Sequence, residues 1–163
     1  MPEGPEIRLA AEKVAAAVEG KAVQRVMFSQ HRLRRFGPKL SGSVVSKIET
    51  KGKALLTHFD NGISIYSHNQ LYGVWRIVAA GSLPKTKRRL RLALHADDRS
   101  ALLYSASDIS VWQTQDLDKH PFLAKLGPDI LDPTVSYRCV ATRLLDKPFL
   151  NRPLHSILMD QSF

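Results

Sequence analysis

KGKALLTHFDNGISIYSHNQLYGVWR, Lys51 to Arg76, decides the fold. Its apolar residues alternate in short runs with turn signals between them, so Ala54 to Phe59, Ile63 to Ser67 and Val74 to Val78 read as strands. The same pattern extends outward on both sides. Val23 to Phe28 and Val44 to Glu49 precede it, Leu90 to Leu94 and Leu102 to Tyr104 follow, and Asp108 to Trp112 is a weaker eighth run. Many short strands in one chain predict an α+β, mainly β protein: a two-sheet antiparallel β-sandwich of about eight strands.

The two ends of the chain have a helical period. Ile7, Ala10, Ala11, Val14, Ala17 and Val18 recur at helix spacing until Gly20 stops them, so an N-terminal helix precedes the strands. Beyond Asp132-Pro133 the pattern is helical again, with Thr134 as the expected N-cap and Val135, Cys139, Val140, Leu144 and Leu145 on the apolar side until Pro148. A second apolar run, Leu150, Leu154, Ile157 and Leu158, meets no glycine stop before Phe163. The expected division is a sandwich domain over 1–133 and the incomplete start of a helical domain over 134–163.

Composition narrows the partners. The chain has 24 Lys plus Arg against 15 Asp plus Glu, a formal charge of +9, which suits a polyanion and nucleic acid first, although a soluble surface or an anionic membrane could use the same charge. At 163 residues with 44% hydrophobic content there is material for one full core. The one cysteine, Cys139, excludes an intrachain disulfide framework and any multi-cysteine zinc site; its place on an apolar stripe predicts a buried thiol. No apolar run approaches a membrane span, and the start lacks the order of a signal peptide. Gly81 to Arg89 reads as a solvated basic turn. His58, His68 and His120 read as structural rather than metal-binding from their neighbours.

The chemistry concentrates at the start. In Met1-Pro2-Glu3-Gly4-Pro5-Glu6, removal of the initiator methionine would leave the Pro2 nitrogen a free secondary amine, able to attack a carbonyl-like carbon and form a Schiff base. Glu3 and Glu6, three apart on one helical edge, could both lie near that amine and move protons for it. The competing reading is ordinary helix-start chemistry, prolines and acids in a first turn.

These strings together resemble the formamidopyrimidine-DNA glycosylase and endonuclease VIII family, closest to its endonuclease VIII branch. PEGPEIRLA, KGKALLTHF, YSHNQLYGVWR and HPFLAKLGPDILDP stand in the family's order across essentially the whole chain. The resemblance implies base-excision repair: a DNA glycosylase with AP lyase activity acting on oxidised pyrimidines through β,δ-elimination. Pro2 is then the nucleophile toward the deoxyribose anomeric carbon. Glu3 is the proton shuttle at the sugar, Glu6 orders the site's hydrogen bonds, and Lys53 contacts the phosphate beside the lesion. By type alone Lys53 reads as a solvated strand-edge lysine, and it is the flanking string that turns the reading. The resemblance makes Gln70, Leu71 and Tyr72 the wedge that fills the gap left by a flipped nucleotide, whereas their pattern equally allows a strand entry joining the core. Lys125 falls where family members carry an arginine reaching a phosphate; lysine keeps the charge and loses the bidentate fork.

Family members continue into a helix-two-turn-helix motif and a zinc or zincless finger, so the chain is expected to be truncated and to hold no cofactor. The expected partner is double-stranded DNA containing damaged bases or abasic sites, with no membrane role. The chain is expected to be a cytoplasmic bacterial monomer, nucleoid-associated when bound to DNA, with association through the truncated helical end. The alternative is a DNA-binding remnant with little or no catalytic activity; the complete set of Pro2, Glu3, Glu6 and Lys53 argues against it.

Overall fold

The computed structural model describes residues 2–130 and 132–163. Helix α1, Gly4–Val18, begins with Glu3 at its N-cap and a proline in its first turn, where a missing N–H costs nothing. Its Ile7, Ala11, Val14, Ala17 and Val18 are buried, the face the sequence period marks. Eight strands follow: β1 Arg25–Phe28, β2 Val45–Lys51, β3 Ala54–Phe59, β4 Ile63–His68, β5 Val74–Ala79, β6 Leu90–His95, β7 Arg99–Tyr104 and β8 Asp108–Gln113.

They form two antiparallel four-stranded sheets, ordered β1-β6-β7-β5 and β2-β3-β4-β8. Alternation explains the layering. Val26, Phe28, Leu92, Leu94, Ala101 and Leu103 of the first sheet share one apolar core with Ile48, Leu55, Phe59, Ile65 and Ile109 of the second, and α1 adds its buried face to that core. Ala93, Leu102 and Tyr104 make a smaller cluster on the opposite side of the first sheet. The fold is the expected two-sheet sandwich with an N-terminal helix.

A 3₁₀ helix, His31–Phe36, runs into a single-turn helix α2, Gly37–Leu40, between β1 and β2. The sequence period gave no sign of it, because Leu33 and Leu40 are its buried side chains among four basic ones in His31 to Lys39.

The chain divides into two compact units, Met1–Leu117 and Asp118–Phe163. The second holds α3, Tyr137–Leu144, and α4, Leu154–Leu158. Thr134 is not the cap of α3: its N–H and Oγ both donate to Asp132 Oδ1, at 2.9 and 2.7 Å, and Ser136 occupies the cap position. Cys139 is exposed, contrary to the expectation of burial, because α3 buries none of its side chains. Burial within this unit rests instead on Phe149 and Ile157, with the Phe163 ring packed edge-on against Phe149 at 5.3 Å. Among the described residues no helix is long and apolar enough to cross a membrane.

Candidate active site

The start of α1 and the turn between β2 and β3 meet. Glu3 Oε2 lies 2.8 Å from Lys53 Nζ, a residue fifty positions further along the sequence. The lysine side chain is only 15% exposed and the glutamate 63%, so the cation is held in place while the carboxylate stays open to a ligand. Glu6 has a different task. Its Oε2 accepts the Glu3 backbone N–H at 2.7 Å, the reciprocal half of a capping box, and this fixes the residue that follows Pro2. Pro2 and Glu6 open onto a groove of about 1170 Å³ over the outer face of α1 and strand β5, lined also by Lys13, Leu71, Arg76 and Arg99.

Facing this groove is the turn between β4 and β5. Leu71 and Tyr72 are 58% and 67% exposed, so they do not join the core. Their backbone is nonetheless pinned. Gln70 adopts a left-handed φ of 54°, uncommon for a side chain of its kind, and its N–H donates to His68 Nδ1 at 3.0 Å. Gln70 Oε1 accepts from the backbone N–H and the hydroxyl of Ser107, at 3.2 and 2.8 Å. Gly73 N–H closes the turn on Asn69 O at 2.7 Å, and Arg88 donates to Tyr72 O at 2.6 Å. A Cβ on Gly73 would lie 2.3 Å from Asn69 O, so only glycine fits that approach. Leu71 and Tyr72 are thus exposed apolar side chains on a turn whose backbone is already ordered.

Burial holds the His68 imidazole below its ordinary pKa, with Lys53 pushing the same way against Asp108. A neutral ring leaves Nδ1 free to accept the Gln70 N–H. Sequence reasoning placed His68 in the turn before Gln70 without seeing this bond, and it gave neither Ser107 nor Arg88 a part in that turn, since both reach it from loops distant in sequence. His58 sits elsewhere, with Nδ1 2.7 Å from Ser64 Oγ and Nε2 3.2 Å from Glu49 Oε1. His120 Nδ1 accepts the Phe122 N–H at 3.2 Å. In the second unit Lys125 ends a 3₁₀ turn, Leu123–Lys125, with an exposed side chain.

Near the start of α1, then, an acid sits on a largely buried lysine, and Leu71 projects into the groove that Pro2 and Glu6 line. The fold agrees with solved structures. The complex between the Lactococcus lactis Fpg and an abasic site containing DNA matches 99% of this chain and 61% of that one, with a TM-score of 0.77 at 16% identity. The N-terminal domain of formamidopyrimidine-DNA glycosylase matches residues 1–107, and the chain belongs to that family. It is 50% identical over its full length to Endonuclease 8 of Salmonella agona and of Salmonella typhimurium. The chain spans 62% of the length of these relatives.

Proposed function

We propose that this chain carries the chemical centre of a base-excision repair DNA glycosylase with AP lyase activity, acting on oxidised pyrimidines in double-stranded DNA. The observation that supports it most is the Glu3–Lys53 contact at 2.8 Å beside Pro2. In this reading initiator removal frees the Pro2 amine, whose lone pair attacks the anomeric carbon. The bond from that carbon to the base breaks, and the ring opens to an iminium with Glu3 delivering a proton to the sugar oxygen. The iminium acidifies the neighbouring sugar C–H. Loss of that proton expels the 3′ phosphate, and a second elimination expels the 5′ phosphate. Glu6 keeps Glu3 aimed through the capping bond, and Lys53 holds the phosphate beside the lesion. Gln70, Leu71 and Tyr72 fill the gap in the stack, where apolar contact offsets unstacking worth a few kcal/mol. Lys125 reaches a further phosphate as a point charge.

The reading assigns no cofactor to the chain, because an amine and a carboxylate supply the chemistry and the one cysteine makes no multi-cysteine zinc site. It also places the protein in a bacterial cytoplasm as a monomer. The exposed Leu145, Leu150, Leu154, Leu158 and Met159 of the second unit are where association would begin.

Glu3→Gln tests the division of roles. An abasic sugar opens its ring readily and needs less protonation, so the variant should still cleave an abasic-site duplex while failing to release an oxidised pyrimidine. Equal loss of both activities would remove Glu3 from the acid role. Binding of abasic duplex by the unaltered chain with neither activity would favour the remnant reading.

A further inference from the structure

The loop joining β5 to β6, residues 80–89, carries Lys85, Lys87, Arg88 and Arg89, all exposed, and contains no acid. As a sequence it is a solvated basic turn. In the fold it is tied to the insertion element: the Arg88 guanidinium donates to the Tyr72 carbonyl at 2.6 Å, and Thr86 Oγ accepts the Arg88 N–H at 3.1 Å. Pro84 of the same loop lines the groove that Pro2, Glu6 and Leu71 line. That groove brings in Lys13, Arg76 and Arg99 against the single acid Glu6. The acids near the root of the loop are engaged elsewhere, Asp97 by Gln24 and Asp98 by Lys21. The side chains of Lys85, Lys87 and Arg89 make no ion pair or hydrogen bond among the described residues, so their charge is directed at solvent or at a ligand.

We propose that the 80–89 loop is a backbone-gripping arm for duplex DNA, with Arg88 serving as the clamp that fixes it to the wedge and Lys85, Lys87 and Arg89 contacting phosphates beside the point of insertion. This rests on the reading of Leu71 and Tyr72 as a DNA wedge. The geometry follows from scale. Each strand carries one phosphate per about 3.4 Å of helix axis, so a loop fixed to an inserted side chain brings its cations alongside several of them at once. A basic loop that served only solubility would have no use for an arginine held on the carbonyl of an exposed tyrosine. Fixing the loop in advance lowers the ordering cost of each contact and couples insertion to phosphate grip.

The test is fluorescence anisotropy of an abasic-analogue duplex at several salt concentrations, with the full chain and a Lys85→Ser, Lys87→Ser, Arg89→Ser triple variant. Each lost phosphate contact removes roughly 0.9 from the slope of log affinity against log salt, so the slope should fall by about 2 to 3 and affinity near 0.1 M salt by about tenfold or more. Arg88→Ala, which leaves the other three cations in place, should weaken binding as well, because the arm is no longer held to the wedge. Melting curves establish that both variants are folded. An unchanged slope in the triple variant overturns the proposal, and so does the absence of salt-dependent binding by the unaltered chain. If the slope falls as stated but Leu71→Ala binds abasic duplex as well as the unaltered chain, the arm stands and the wedge reading fails.

Discussion

Leu71→Ala separates a wedge from a core residue by magnitude. With 58% of its surface exposed, Leu71 contributes little apolar burial to the fold, and truncation should cost the free protein less than about 0.5 kcal/mol. Leu55, 1% exposed in the shared core, gives the contrast: Leu55→Ala should cost about 2–5 kcal/mol. In the proposed DNA complex the surface of Leu71 that stays open in the free protein would be buried between bases. Full burial of a leucine side chain contributes about 1.5–3 kcal/mol, so the part still open in the free protein contributes about 1–1.5 kcal/mol, or roughly a tenfold change in Kd. Thermal melting reads the first quantity and titration of a labelled abasic-site duplex reads the second. A variant that melts several degrees lower yet binds DNA as well as the unaltered chain would refute the wedge assignment.

Two further outcomes follow from local geometry. Gly73→Ala must push its Cβ away from Asn69 O and open the turn, at about 1–3 kcal/mol of overpacking strain, so it should lower the melting temperature by several degrees and weaken abasic-site binding; a variant indistinguishable in both would show that the turn is not rigid. The hydrogen bond from the His58 ring, aided by Lys47 and opposed by burial, holds the Glu49 carboxyl at about 2, below its usual 4.5. A depressed folded pKa gives stability that is present above about pH 4.5 and lost as pH falls toward 2, so Glu49→Gln should be less stable than the parent near pH 6 and converge with it near pH 2. Parallel stability curves across that interval would remove this ion pair from the acid response.

What was legible in the sequence was what repeats locally. Short apolar runs between turn signals marked all eight strands, and β3 was bounded as Ala54 to Phe59, because it is buried on nearly every position and the turn residues Gly52 and Asp60 to Gly62 close it on both sides. The 3₁₀ helix at His31–Phe36 was not legible: it buries one leucine among cations, too few apolar positions to make a period. Cys139 misled for the opposite reason, since the apolar stripe of α3 is not covered by anything within its unit that buries it. For the candidate site, residue types and motif strings nominated Glu3, Lys53 and the Gln70 to Tyr72 turn. The contacts that give them geometry, Glu3 to Lys53, Gln70 to Ser107 and Tyr72 to Arg88, span from 16 to 50 positions and depend on strand order, which no local pattern encodes.

The central claim is that a covalent bond forms between the Pro2 nitrogen and an abasic sugar. Borohydride reduction of the chain with abasic-site duplex, followed by proteolysis and mass spectrometry, tests it directly. The account predicts an adduct on the N-terminal peptide at Pro2, abolished when the terminus is acetylated. An adduct on Lys53, or one that survives acetylation, would contradict it.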